Sequence, residues 1–192
     1  RHMCIRVRLG IVIVNGVNYS DEAFQIAIDN NLTIIGTSDV HNLIDWDYSF
    51  YKGKHRPVTL VLSKDKTEKS IKDALFKRRT VVWFKNNLIG LKDNLVPLLK
   101  SSLSFKSLGY EAGTYILKVE IENKSDSKMM LKNISKYTFS QNTDSFHVDA
   151  HSKKIIEIKT IVKLKEMNLT FKIQNAYIEP SKNPKVSFFV KI

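Results

Sequence analysis

Two side chains able to do metal chemistry stand two positions apart where an apolar run ends. They are Asp39 and His41, in Leu32-Thr33-Ile34-Ile35-Gly36-Thr37-Ser38-Asp39-Val40-His41. A carboxylate oxygen and a neutral imidazole nitrogen together suit a divalent ion such as zinc or manganese. In an extended chain residues i and i+2 point the same way, so the spacing lets the pair converge on one point. α/β proteins also deliver functional groups from the carboxyl ends of buried strands. A plain strand followed by a polar loop has the same string, and spacing alone leaves both readings open.

A second group follows in the connection from Asn42 to Pro57, far longer than the ~2–6 residues usual between strand and helix. It carries Asp45 and Asp47, the aromatics Trp46, Tyr48, Phe50 and Tyr51, and the basic cluster Lys52, Lys54, His55 and Arg56. Such a loop can wall a pocket and hold an anionic substrate. It can equally be a surface Ω-loop pinned by its own aromatics. A third group, His147-Val148-Asp149-Ala150-His151, puts two imidazoles and a carboxylate on one strand face; a solvated face is the preferred reading over a metal site. The sequon Asn168-Leu169-Thr170 is a string common by chance.

The elements that must position these groups can be read from pattern. Ile11-Val12-Ile13-Val14 is a buried strand, and Asn15-Gly16-Val17-Asn18 a turn. Ser20 caps a helix with Asp21 and Glu22 in its first turn and an apolar face of Phe24, Ala27 and Ile28. Asn30-Asn31 ends it, and Leu32 to Gly36 is the next strand. This βαβ unit predicts parallel strands. Thr59 to Leu62 is a further strand, and Thr67 caps a helix from Glu68 to Lys77 with Ile71, Ala74 and Leu75 on its buried face. Thr80 to Phe84 is a strand and Asn86-Asn87 a turn. Leu88 to Leu99 reads as a helix that Pro97 should stop or kink.

From Lys100 to Gly113 the character changes, and residues 101–113 read as a linker rich in Ser and Gly. Beyond it the pattern alternates. Strands are expected at Tyr115–Glu122 and near Met130–Leu131, Tyr137–Phe139, Phe146–Val148, Lys154–Ile161, Leu169–Ile173 and Val186–Val190. Short strands between turn residues predict a small antiparallel β-sandwich over 114–192, after an α/β portion over 4–100.

Composition excludes some classes. The 192 residues suffice for one large domain or two small ones. No run approaches the ~20 apolar residues of a membrane span, so no membrane partner is expected. Cys4 is the single cysteine, which excludes an intramolecular disulfide framework and a cysteine zinc cluster. The net charge of +12 raises nucleic acid. The basic residues are spread evenly over both halves and are mostly Lys, whereas Arg is the usual reader of bases and phosphates. A lysine-rich surface is the preferred reading. Arg1-His2-Met3 reads as an expression scar before a start methionine, so His2 is left out of any site. No charged-then-apolar signal segment is visible, and cytoplasm and periplasm both stay open.

From Ile11 to Leu99 the chain resembles the carboxyl-terminal part of the PHP (polymerase and histidinol phosphatase) family of metal-dependent phosphoesterases. The carriers are Gly36-Thr37-Ser38-Asp39-Val40-His41, then Pro57 to Leu62, and Ile71 to Val82 with its Ala74-Leu75 helix and Arg78-Arg79-Thr80. The later segment is similar to bacterial phosphoesterase-like members, and the β-rich tail to the appendage some of them carry. The resemblance implies an α+β two-domain protein, with part of a distorted (β/α)7 barrel followed by the sandwich. It implies divalent metal (zinc, manganese or iron) at the carboxyl ends of the strands, with Asp39 and His41 as the last metal-binding motif. Lys54, His55 and Arg56 would contact the phosphate of a phosphorylated small molecule or a phosphodiester. The family's early His-x-His motif and other upstream ligands have no counterpart here. The chain therefore reads as a carboxyl-terminal fragment or shortened reading frame, incomplete as a catalyst alone. It need not retain the metal, and a homo-oligomer is possible. A non-catalytic binding or assembly module using the sandwich is the alternative, with nucleic-acid binding third.

Overall fold

The computed structural model describes residues 10–48 and 55–192; Cys4 and Lys54 lie outside the described residues. The chain divides into two units, Arg1–Leu95 with Tyr177–Lys182, and Val96–Ala176 with Asn183–Ile192. Each has its own core.

In the first unit β1 (Gly10–Asn15) turns through Gly16 into the two-residue β2 (Asn18–Tyr19), which pairs with it antiparallel. Helix α1 (Asp21–Asp29) follows, its first turn closed by the Ser20 hydroxyl, which accepts from the Ala23 amide at 3.0 Å. Phe24 and Ala27 on its inner face bury against Ile13, Val14 and Ile34. β3 (Thr33–Thr37) then returns parallel to β1 in the register Ile11↔Ile34, Val12↔Ile35, with a bulge between Val12 and Val14. The βαβ expectation agrees with these elements.

A second sheet carries β4 (Val58–Val61), β5 (Thr80–Phe84) and β6 (Asn87–Gly90), with antiparallel pairing throughout. Among the pairings described in this unit, only β1 with β3 has the parallel sense of a β/α barrel. Hydroxyls tie β3 to the second sheet. Thr59 Oγ1 accepts from the Gly36 amide and Thr80 Oγ1 donates to the Ile34 carbonyl, each at 2.9 Å. Gly36 itself is required, because a Cβ there would come within 2.6 Å of Val82 Cγ1.

Four expectations need correction here. Leu88-Ile89-Gly90 is strand, not helix: Lys85 and Asn86 both take positive φ, the two-residue hairpin turn that sends the chain back beside β5. Helix α4 therefore begins only at Lys92 and runs to Ser102, through Pro97. Pro97, the helix's sixth residue, cannot donate to the Asp93 carbonyl, and the helix continues past it with Leu95 and Leu99, one turn apart, fully buried. In α3 (Glu68–Phe76), capped by Thr67 as expected, only Ala74 is buried. Ile71 is 36% exposed, so the inner face of the helix narrows to Ala74. Finally, residues 101–113 are not a linker. They hold the end of α4 and the eight-residue strand β7 (Leu103–Tyr110), whose small residues sit at a bulge between Ser107 and Gly109.

The second unit is two four-stranded antiparallel sheets. One has the order β10 (Thr138–Phe139), β12 (Ser152–Lys159), β8 (Ile116–Asn123), β7; the other is β11 (Ser145–Val148), β9 (Met129–Asn133), β13 (Glu166–Ile173), β15 (Lys185–Lys191). Alternate residues turn inward: Leu117, Val119 and Ile121 from one sheet, Met167, Leu169, Phe171 and Ile173 from the other. Phe105 stacks on Phe188 at 4.2 Å between centroids, with Phe171 beside them. Buried Asn123 ties the β8 turn by donating to the carbonyls of Ser127, Val148 and Asp149. Between β13 and β15 the short β14 (Ala176–Tyr177) joins the edge of the first unit's β6-β5-β4 sheet.

Candidate metal centre

β3 ends at Thr37, and the carboxyl edge beyond it is built by the β1–β2 turn. The Gly16 amide donates to the Thr37 carbonyl at 3.0 Å, and Thr37 Oγ1 donates to the Asn15 side chain at 2.6 Å. Gly16 sits at φ +58°, and a Cβ on it would touch the Asp39 Cβ at 3.4 Å. Its left-handed φ favours glycine at this turn, and a Cβ there would meet Asp39 only in ordinary contact.

Asp39 takes φ +53°, so the chain is not extended there. The expectation that i and i+2 converge because they share a strand face is corrected in mechanism: the strand has already ended, and a left-handed residue folds the loop back. The two side chains do meet. His41 Nε2 lies 3.7 Å from Asp39 Oδ1, with the imidazole 85% and the carboxylate 53% exposed. Tyr48, following the single-turn helix α2 (Ile44–Asp47), fastens this loop by donating its hydroxyl to the Ser38 carbonyl at 2.9 Å. Burial, with the Asp47 and Asp39 charges behind it, holds the Tyr48 hydroxyl above its ordinary value, so it stays a donor.

As a donor set the pair fits one corner of a divalent ion. Ligands at about 2.0–2.1 Å on a tetrahedral ion stand roughly 3.4 Å apart, close to the observed separation. It is not a complete site: among the described residues no group of three or more His, Cys, Asp or Glu can hold a metal. A catalytic zinc needs about three protein ligands.

Of the expected phosphate-binding residues, Lys54 lies outside the described residues. Arg56 is exposed just before Pro57. His55 is turned inward: its ring stacks on Trp83 at 3.8 Å, and its Nδ1 donates to the Arg56 carbonyl at 2.7 Å. Its Nε2 and the Trp83 Nε1 are buried without a hydrogen-bond partner among the described residues. Val58 pairs with Trp83, and Pro57 and Val82 both face Gly36. His55 and Arg56 therefore enter at the end of the sheet from which Asp39 leaves. Trp83 was read from the sequence only as a β-former. The unbroken apolar run Val81-Val82-Trp83-Phe84 offers no alternation that would single it out.

The residues of 147–151 form no third centre. His147 stands exposed with its Nε2 3.9 Å from Asp149 Oδ2, but Asp149 is already taken by Lys128 at 2.9 Å, and His151 Nε2 turns to Asp126 at 2.6 Å. That hydrogen bond to Lys128 lowers the Asp149 pKa.

Comparison with known proteins bears on both units. A family model described as an Ig-like domain matches residues 103–189. No curated protein matches the chain. A C. elegans MSP family member of solved structure aligns over 47% of the chain and 96% of its own at 15% identity, with a TM-score of 0.31, too low to carry any argument. A solved structure from Bacteroides vulgatus ATCC 8482, of a two-domain protein described as containing a predicted PHP-like metal-dependent phosphoesterase, is 30% identical with a TM-score of 0.84. The alignment covers 94% of this chain and 52% of that one, so this chain spans about half the length of the protein it matches. The chain is thus similar, over almost all its length, to half of a two-domain protein with a PHP-like part, and carries an Ig-like β-domain in its second half.

Proposed function

We propose that this chain supplies one corner of the metal site of a phosphoesterase, acting on a phosphorylated small molecule or a phosphodiester. The observation that carries the reading is the Asp39–His41 pair, an oxygen and a nitrogen donor facing each other beyond the carboxyl end of β3. The likeness to the Bacteroides vulgatus protein supports the class of reaction, and its greater length supports a source for the remaining ligands outside the described residues.

Within that reading each residue has a task. Asp39 and His41 would hold the ion, His41 through Nε2 and therefore in the Nδ1–H tautomer. A bound divalent ion supplies a Lewis acid and lowers the pKa of its water toward ~7. Tyr48 and Gly16 keep the loop in the one backbone conformation that brings the donors together. Arg56, exposed to solvent, would meet the substrate's phosphate, and Lys54 would join it. His55 supports that approach by its stack on Trp83 rather than by direct contact, since its Nε2 is buried.

The test is metal retention and phosphoesterase turnover in this chain joined to the part of the Bacteroides vulgatus protein that the alignment leaves uncovered. Metal content and activity that both fall in the Asp39→Ala variant support the proposal. A joined protein that binds no metal at all overturns it.

A further inference from the structure

At one end of the Ig-like unit the β12–β13 connection carries Ile161 and Val162 at its tip, 93% and 57% exposed. Adjacent apolar side chains so open to water mark a contact surface more often than chance. The tip is held out rather than loose. The Tyr110 hydroxyl accepts from the Leu164 amide at 2.9 Å and reaches the Thr160 hydroxyl at 3.3 Å. The Thr160 amide and hydroxyl both donate to the Tyr115 carbonyl at 2.9 Å. The loop's polar groups are thus tied inward, while its two branched side chains are not.

Around this tip the charge is one-sided. Lys159, Lys163 and Lys165 lie within the same seven residues, with no acid among them. Lys136 faces them across a groove of about 390 Å³, lined also by Tyr137, Thr138 and Leu164. Lys136 and Lys163 lie over the rings of Tyr137 and Tyr110, 5.3 and 6.0 Å from the centroids. No ion pair engages any of these four lysines among the described residues. Of the nearby acids, Glu111 and Glu157 each lie 3.8 Å from Lys118, Asp144 accepts from the Asn133 side-chain amide, and Glu166 follows Lys165 at the start of β13.

We infer that this end of the sandwich docks on an anionic lipid surface, Ile161 and Val162 entering the interface and the lysines meeting the headgroups. Ile161 and Val162 line the same groove as Lys136 and Lys159, and exposed apolar side chains beside unpaired lysines suit a bilayer interface, which takes up the first and binds the second. The lysine ring is complementary to anionic headgroups and repels a second copy of the same face. This is a contact with a membrane surface and requires no spanning segment; among the described residues no helix is long and apolar enough to cross one. It is independent of the metal site.

Sedimentation of the full chain with vesicles tests it. Binding is expected to vesicles of phosphatidylcholine with phosphatidylglycerol and not to phosphatidylcholine alone, and to fall with salt. Replacing both Ile161→Ser and Val162→Ser should weaken it about tenfold, and each of Lys136→Gln, Lys159→Gln and Lys163→Gln about fivefold. An Ile161→Trp variant should shift its emission to the blue on contact, with thermal unfolding unchanged as the control on folding. Absence of binding to anionic vesicles overturns the inference. So does equal binding by the Ser pair, or a tip that proves by light scattering to hold two copies together without affinity for lipid.

Discussion

At the scale of single residues, the site depends on positions with little freedom. Gly36 lies where β3 crosses Val82, and Gly36→Ala should destabilise the first unit by about 1–3 kcal/mol through overpacking. The double variant with Val82→Ala should recover part of that loss in urea unfolding followed by tryptophan fluorescence, since Trp46 and Trp83 both report on this unit. Tyr19 offers a second test. Burial, ahead of its hydrogen bond to Asp21, holds its hydroxyl well above the ordinary 10.0. A group whose folded pKa is raised stabilises fully below its unfolded pKa, and that contribution is lost as pH rises beyond it. Stability should therefore decline above about pH 10, and less steeply in Tyr19→Phe.

At the scale of elements, the sequence was legible where local chemistry and tertiary packing agree. Ser20 and Thr67 cap the helices they were expected to cap, and the alternation in the second half marks its strands because each has one wet and one dry face. Where several structures share a pattern, it misled. Leu88-Ile89-Gly90 is a short apolar run that suits helix or strand, and only the left-handed pair Lys85-Asn86 decides. The Ser and Gly of 101–109 look like a linker because a bulged edge strand uses the same residues. The metal pair was legible as residue types but not as geometry: the positive φ of Asp39 has no signature in its neighbours. The end of α3 makes its own prediction. Asp73 hydrogen-bonds Lys77 and pairs with Arg79, and those partners lower its pKa. Its stabilising effect is present above the unfolded value of about 4 and lost as pH falls through the lower folded value. Asp73→Asn should flatten the acid side of the stability profile in that window, read as denaturation midpoints between neutral and acid pH.

At the scale of the whole molecule, the chain has two units, each with its own core. The sandwich is organised around Phe171, fully buried and in ring contact with Phe105, Phe146 and Phe188. Phe171→Ala should cost about 3–5 kcal/mol, visible in far-ultraviolet circular dichroism during thermal unfolding. The first unit places a donor pair at a sheet edge but lacks a full ligand set among its described residues, while a protein similar to it is about twice as long. The central claim is that Asp39 and His41 are ligands in such a larger site. It is tested most directly by metal analysis of the chain joined to the part of the Bacteroides vulgatus protein that the alignment leaves uncovered, beside its Asp39→Ala, His41→Ala double variant. The account predicts bound divalent metal in the first and its loss, with activity, in the second at unchanged thermal stability. Full metal occupancy and full turnover in the double variant would contradict it.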